Sequence, residues 1–146
     1  MEMEKIETIP GWTINIEETS NGVFKVILTD EYGHRAEIID NATDETVEKA
    51  ISAAFDIEKQ ISKNWSLFLF NLCIEKLTTE NIVNKEYNSI VFGSWFIEGA
   101  EKRLVYEGKD KWLIVQTKTG AEWLDNIIIK KDELKYLNLI EQIKNI

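Results

Sequence analysis

The side chains that most often carry catalysis and metal binding are scarce in this sequence. The 146 residues contain a single histidine, His34, and a single cysteine, Cys73. A zinc site built from several histidines or thiolates is therefore excluded, because such sites take three or four protein ligands. His34 follows a glycine, and we interpret it as an exposed turn residue. Cys73 lies in an apolar run, where cysteine usually acts as a small buried side chain.

No motif of a catalytic serine or of a phosphate-binding loop is present. Phe92-Gly93-Ser94-Trp95 matches only part of the G-x-S-x-G nucleophile elbow and fits a strand better. No glycine-rich phosphate loop or dinucleotide fingerprint occurs. A carboxylate pair such as Glu98 and Glu101 could act as general acid and base in a cleft. The 26 acidic residues make such pairs frequent by chance, so we expect a protein that is not an enzyme and has no cofactor or metal.

Tryptophan and arginine offer a different chemistry, which is the recognition of a flat or anionic ligand. Of the five tryptophans, Trp12 and Trp65 are expected in the core, and three others lie on strands of the second half. A tryptophan on such a strand can anchor a homo-oligomer interface or stack on a nucleotide-like ligand, and arginine can hold an anion. The residues of this ligand hypothesis are Arg35, Trp95, Arg103, Trp112 and Trp123.

Acidic side chains are concentrated in the first half of the chain. Residues 1–62 hold 14 Asp or Glu against 5 Lys or Arg, a net charge of −9, whereas residues 63–146 hold 12 of each. A negative field repels phosphate backbones, which disfavours direct binding of nucleic acid, and it steers a basic protein towards this half. The alternative is that the charges only keep the surface solvated. The predicted partner-binding residues are Glu17, Glu18, Asp30, Glu31, Asp44, Glu45 and Glu48.

These charges must be positioned by folded elements, and the clearest predicted element is a helix over residues 43–62. Thr43 suits its N-cap, and Asp44 and Glu45 place negative charge at the positive end of the helix dipole. Apolar residues at three- and four-residue spacing predict one buried stripe, and charged residues such as Lys59 are expected to face water. The stripe consists of Val47, Ala50, Ile51, Ala54, Phe55 and Ile61.

Two strands that precede this helix are predicted to form a hairpin. Residues 12–16 and 24–28 alternate apolar with polar side chains, and the Asn-Gly pair between them is typical of a hairpin turn. A two-residue loop alone would put the two apolar rows on opposite faces. A three-residue loop with Gly22 at positive φ, or a nearby bulge, unites the rows and would pair Ile16 with Leu28.

A third strand is predicted over residues 35–39, so the first sixty residues have the order strand, strand, strand, helix. This order resembles the βββα unit of several small families, including HicB-type antitoxins and some phage inhibitors. The resemblance is one of topology, covers less than half of the chain and transfers no residue. It implies a role in neutralising another macromolecule.

The second half begins with an apolar segment over residues 65–77, which we predict as a helix, with a central strand as the alternative. The polar stretch over residues 78–89 is predicted as a loop with a short helical turn, and a subdivision of the chain could fall there. A last helix is predicted to start at Asp132, with Leu134, Leu137, Ile140 and Ile143 at helical spacing. The predicted strands are residues 90–97, 102–106, 111–117 and 122–130.

Length and composition predict a single α+β domain over residues 1–146, with mostly antiparallel strands. We do not expect residues 1–7, which lie outside the part of the chain described below, to form a signal peptide, and no apolar run is long enough to span a membrane. We therefore expect a cytoplasmic protein that binds no membrane. The leading hypothesis is a non-catalytic acidic protein that neutralises a basic target, as immunity proteins, antitoxins and phage inhibitors do. Such a target would be a toxin or a nucleic-acid-binding enzyme. The alternative is a small-molecule binding or sequestering protein, and an enzyme ranks third.

Overall fold

The computed structural model of the protein describes residues 8–77 and 79–146. The fold is α+β with antiparallel strands, as predicted: the described residues form two sheets, of three and five strands, and three α-helices. The chain divides into two compact units, Met1–Ile61 (unit 1) and Ser62–Ile146 (unit 2), and each contains one of the sheets. In the described ranges, no helix has the length and apolar character needed to cross a membrane.

Unit 1 has three strands followed by one long helix, the order predicted from the sequence. The helix packs on β2 and β3 and covers one face of the sheet, whose order is β1-β2-β3. Val26, Leu28 and Phe55 are fully buried there. The elements are β1 (Trp12–Ser20), β2 (Val23–Asp30), β3 (Arg35–Asp40) and α1 (Thr43–Ile61).

The turn between β1 and β2 explains how both apolar rows reach the same face. Asn21 and Gly22 form a two-residue loop, and Gly22 has a φ of 79°. A bulge near the end of β1 then shifts the register by one residue, so that Ile16 pairs with Val26. The predicted bulge and the positive φ are confirmed. The predicted pairing of Ile16 with Leu28 is wrong, because the extra residue lies in β1 and not in β2.

Helix α1 differs from its prediction at both ends. The carbonyl of Ala42 accepts the amide of Thr46, so Ala42 and not Thr43 occupies the cap position. Ile61, predicted in the buried stripe, is 48% exposed at the last helical position, whereas Lys59 is 8% exposed. Lys59 follows Phe55 by four residues and therefore continues the stripe, and its long aliphatic stem can be buried while the ammonium stays near a partner. Its Nζ lies 3.7 Å from the carboxylate of Asp56.

Unit 2 is a five-stranded antiparallel meander with one helix before it in the chain and one after it. Residues 65–77 form a helix, which confirms the preferred prediction over a central strand. The sheet order is β4-β5-β6-β7-β8. The elements are α2 (Trp65–Lys76), β4 (Asn84–Asn88), β5 (Ser94–Glu98), β6 (Lys102–Glu107), β7 (Trp112–Thr119), β8 (Glu122–Lys130) and α3 (Tyr136–Lys144).

Three predicted boundaries in unit 2 are wrong. The predicted loop over residues 78–89 contains β4, an edge strand that sequence periodicity misses because its first three side chains are exposed and polar. The strand predicted over residues 90–97 starts only at Ser94, because residues 90–93 form a turn. Helix α3 starts four residues after Asp132, and its buried residues are Tyr136, Leu139 and Ile143, whereas Leu137 is 58% exposed.

One face of the unit 2 sheet, here called the inner face, forms a core with the helices. Leu72 and Cys73 of α2 are fully buried, as are Ile97 and Leu104 of the sheet. Burial raises the pKa of the Cys73 thiol far above its ordinary value, which keeps the sulfur protonated and unreactive. The interpretation of Cys73 as a small core side chain is therefore confirmed. The opposite side of the sheet is called the outer face.

Candidate functional site

Carboxylates from three elements meet at one end of unit 1. Glu18 of β1 and Asp40 of β3 both pair with Phe24 of β2, so the end of β1 and the end of β3 flank β2 at the same end of the sheet. Helix α1 starts three residues after Asp40, and Nζ of Lys49 lies 2.9 Å from the Asp40 carboxylate, which places the first turns of α1 at the same end. We call this surface the acidic end, and its members are Glu17, Glu18, Asp40, Asp44, Glu45 and Glu48.

Five of the seven predicted partner residues belong to the acidic end, and all five are exposed. Lys49, which lies beside these carboxylates, forms an ion pair with Asp40. The hydrogen bonds from Lys49 and from the Asn41 amide lower the pKa of Asp40, which therefore stays ionised at neutral pH. Asp44 and Glu45 also lie in the first turn of α1, where the helix dipole favours negative charge. This end therefore carries a strongly negative potential.

The other two predicted partner residues, Asp30 and Glu31, lie at the opposite end of unit 1, in the turn between β2 and β3. Asp30 has a structural task there, because its carboxylate accepts the amides of Tyr32 and His34 at 3.0 and 2.7 Å. The ring of His34 makes a third contact with the same carboxylate, with Nδ1 2.6 Å from Asp30 Oδ2. Burial acts to raise the pKa of Asp30, but these hydrogen bonds outweigh it and lower the pKa. The seven residues therefore do not form one surface.

On the face of the unit 1 sheet opposite to α1, the charged side chains compensate one another beside one exposed apolar residue, Ile39. The Arg35 guanidinium binds Glu37, with Nη2 2.6 Å from Oε2, and Lys25 lies 3.3 Å from the other oxygen of the same carboxylate. Hydrogen bonds from Arg35 and then Lys25 lower the pKa of Glu37. Arg35, predicted to hold a ligand anion, is thus already engaged within its own sheet.

On the outer face of the unit 2 sheet, Arg103 is held in a defined orientation. Its Nε donates to Oε1 of Gln116 at 2.7 Å, and the Gln116 amide in turn donates to Asp125 at 2.7 Å. The guanidinium carbon lies 4.8 Å from the ring centre of Trp123 and 5.7 Å from that of Phe96. Two residues of the ligand hypothesis, Arg103 and Trp123, therefore lie in contact.

The remaining two tryptophans of the ligand hypothesis have different environments. Trp95 points to the inner face, is 2% exposed, and stacks on Tyr106 at 5.7 Å with Phe70 against its edge at 5.5 Å. We therefore remove Trp95 from the ligand hypothesis, because no ligand can reach its ring faces. Trp112 is half-buried and shares the outer face with Ile114, two residues along the same strand.

The outer face also carries an apolar row that sequence analysis did not single out. Cross-strand pairing aligns one half-buried or exposed residue from each of β5, β6, β7 and β8. The sequence does contain a pattern that could have predicted this row, because each of these strands has apolar residues on both faces near its middle. We call this set the apolar row, and its members are Phe96, Val105, Ile114 and Ile128.

A second feature that sequence analysis missed is the turn between β4 and β5. Ile90, Val91 and Phe92 are 91%, 47% and 67% exposed, and they follow one another at the tip of this hairpin. The side chain of Asn88 accepts the amides of Ile90 and Val91, which fixes the turn. Phe92 has a φ of 54°, a conformation rare for a bulky residue. The Asn-Ser pair and the Phe-Gly pair around the tip were the available turn signals.

The described residues offer little room for a buried ligand and no candidate metal centre. A cavity of about 220 Å³ lies beside Ser94, Phe96 and Glu107, and one of about 300 Å³ lies beside Ile82, Val83 and Asn84. These volumes lie below and at the lower end of the roughly 300–1,000 Å³ of typical small-molecule pockets. No cluster of three or more possible metal ligands occurs within residues 8–77 and 79–146.

Comparisons with protein-family models, with curated proteins and with solved structures find no match to this chain.

Proposed function

We propose that this protein is a non-catalytic binder that occludes a basic surface of another macromolecule through the acidic end of unit 1. The observation that carries the proposal is the convergence of exposed carboxylates from β1, β3 and the start of α1 at one end. These side chains are separated by up to 31 positions in the sequence, and the fold brings them to one surface. A basic toxin or the nucleic-acid-binding surface of an enzyme has the complementary charge.

The mechanism follows from how exposed charges act in water. Long-range attraction raises the association rate, because the field orients the partner before contact, and it contributes less to the lifetime of the complex. The positive end of the helix dipole offsets only part of the charge of the two carboxylates in the first turn of α1, so the end remains anionic. Occlusion needs no catalytic group, which agrees with the scarcity of histidine and cysteine.

The test is a charge reversal with a matched control. The triple variant Asp44→Lys, Glu45→Lys and Glu48→Lys should lower the association rate with a captured basic partner by about tenfold or more at low salt. This loss should shrink between about 50 and 500 mM salt, since the screening length falls from above 10 Å to a few ångströms. Surface plasmon resonance measures both rates.

The control variant carries the same change of charge in unit 2, as Glu75→Lys, Glu86→Lys and Glu101→Lys, at three exposed positions. It should leave the association rate within about twofold of the unchanged protein, because these three charges do not belong to the acidic end and exposed charges act only within the screening length. Circular dichroism checks that both variants are folded. Equal losses from the two variants, or none from the first, would contradict the proposal and leave the acidic end as a solubilising feature.

A second candidate function, small-molecule binding, is favoured by the fixed guanidinium of Arg103. An anionic, flat ligand would meet a pre-oriented cation beside the Trp123 ring. Nucleotides that raise the melting temperature of the unchanged protein but not of Arg103→Lys would support this function. Lysine keeps the charge but loses the planar fork, so it separates specific recognition from simple charge attraction.

A further inference from the structure

The two edge strands of the unit 2 sheet differ in a way that points to a partner. At one edge, β4 has five residues, and its first three are exposed and polar. At the other edge, β8 has nine residues, Glu122–Lys130, and pairs with β7 on one side only; no other strand of the described chain pairs with it. Short polar strands protect a sheet edge, whereas a long apolar edge presents unpaired N–H and C=O groups to another strand.

Strand β8 also leaves apolar side chains uncovered on both faces of the sheet. Leu124 and Ile127 point to the inner face and are 52% and 38% exposed, although the inner face elsewhere forms a core. Ile128, on the outer face, is 46% exposed. A strand that serves only as the end of a sheet would gain nothing from apolar residues on both faces. A neighbouring strand on the open side would cover them.

Two cross-strand pairs are favourable when β8 is run antiparallel to a second copy of itself. The bulge opposite Val115 and Gln116 makes Asn126 an extra residue, so that Leu124 and Ile129 share the inner face. A two-fold axis between positions 126 and 127 sets Leu124 opposite Ile129 of a second copy. The same axis sets Trp123 opposite Lys130 of the second copy on the outer face, where an ammonium over an indole ring is attractive.

We infer that the chain forms a two-fold homodimer through β8, in which the two five-stranded sheets join into one continuous antiparallel sheet. Each of the contacts above then occurs twice, as in every isologous interface, and the assembly closes at two copies. The apolar row runs up to this edge through Ile128, which in this register lies opposite Asp125 of the second copy, so the rows of the two copies are offset along the seam. The inference is independent of the acidic end, which lies in unit 1.

Sedimentation velocity over about 1–200 µM protein tests the inference, because self-association depends on concentration. The unchanged chain should sediment as a dimer at the upper end. The double variant Leu124→Lys and Ile127→Lys should raise the dissociation constant by at least about tenfold, because it places ammonium groups on the inner face beside Ile129 of the second copy. The matched control, Val83→Lys and Leu137→Lys, changes two residues that are 68% and 58% exposed elsewhere in unit 2, and it should remain dimeric.

A cross-linking experiment tests the position of the two-fold axis. In Asn126→Cys the two new thiols flank the axis, and mild oxidation should give a disulfide-linked dimer, whereas Asn138→Cys on exposed α3 should not. The buried Cys73 does not contribute. A chain that is monomeric at every concentration would overturn the inference. So would a dimer that survives the β8 variant and fails to cross-link at position 126, because another surface would then hold it.

Discussion

Units 1 and 2 are both antiparallel sheets with helices on one face, but their uncovered faces have opposite characters. In unit 1 that face carries the Arg35–Glu37–Lys25 ion pairs, together with a contact between the hydroxyls of Thr13 and Thr29. In unit 2 the outer face carries the apolar row and a guanidinium stacked on tryptophan. The first face pairs its charged groups with one another and exposes one large apolar residue, Ile39, whereas the second presents an apolar row that crosses four strands.

This difference separates two kinds of recognition within one chain. Unit 1 presents its net charge at its ends and acts at long range, so its effects should depend on salt. Unit 2 is nearly neutral and presents aromatic and branched side chains, so its contacts should depend on shape and on exclusion of water. The salt dependence of each interaction is therefore the first way to assign it to a unit.

The largest expected effect concerns the single helix of unit 1. Ile51 is 5% exposed in the α1 stripe, and Ile51→Asp places a charge there without a partner, which should cost about 3–5 kcal/mol and unfold unit 1. Glu48→Gln, three residues earlier on the exposed side, should change stability by less than about 0.5 kcal/mol. Thermal melts followed by circular dichroism compare the two. Equal melting temperatures would mean that α1 does not cover the sheet as described.

The turn between β2 and β3 gives the next effect in size. Asp30→Ala removes the acceptor of two backbone amides and of the His34 ring, and should destabilise unit 1 by about 1–2 kcal/mol in urea unfolding. His34→Ala keeps both amide bonds and should cost less than half as much. If the two substitutions cost the same, the ring contact and not the amide bonds holds the turn.

The same turn predicts a dependence of stability on pH. Hydrogen bonding holds the pKa of Asp30 below its ordinary value of 3.8, so the folded state binds this proton less readily than the unfolded state. The stabilisation is therefore present above pH 3.8 and is lost as the pH falls through the lower pKa of the folded state. Asp30→Asn should flatten that part of the acid-unfolding curve.

The elements of this fold were largely predictable, because both helix α1 and the first hairpin have clear periodicity. The Asn-Gly turn and the alternating rows required one extra residue, in the loop or as a bulge, and the structure contains the bulge. The position of the bulge was not predictable, since an extra residue in either strand unites the apolar rows. Strand β4 escaped prediction for a physical reason: an exposed edge strand has no buried face and hence no alternation.

The candidate site was predictable in part. The exposed carboxylates of β1 and α1 were identified by charge alone. The sequence cannot tell that Asp30 uses its carboxylate to hold a turn at the opposite end of the sheet, at the far end of β2. The sequence around Trp95 and Trp123 does not distinguish a buried from an exposed tryptophan, but the strand register places Trp95 on the inner face and Trp123 on the outer face. The face of each strand is fixed by pairing partners that lie far away in the chain.

The smallest expected effect tests whether the exposed hairpin tip of unit 2 stores strain. Phe92 has a φ of 54° and is 67% exposed, so it gains little from burial while it keeps a left-handed backbone that costs a bulky residue about 1–2 kcal/mol. Phe92→Gly relieves that cost but adds chain flexibility worth roughly 0.5–1 kcal/mol. Urea unfolding should therefore show a net gain of up to about 1 kcal/mol.

The control Ile90→Gly removes an apolar side chain that is 91% exposed at a position without positive φ, and it should be neutral or destabilising. A gain for Phe92→Gly alone would mean that stability is given up to present an aromatic ring at the tip, as recognition surfaces do. Equal losses of stability in both variants would contradict the prediction and show that the tip is an ordinary turn without backbone strain.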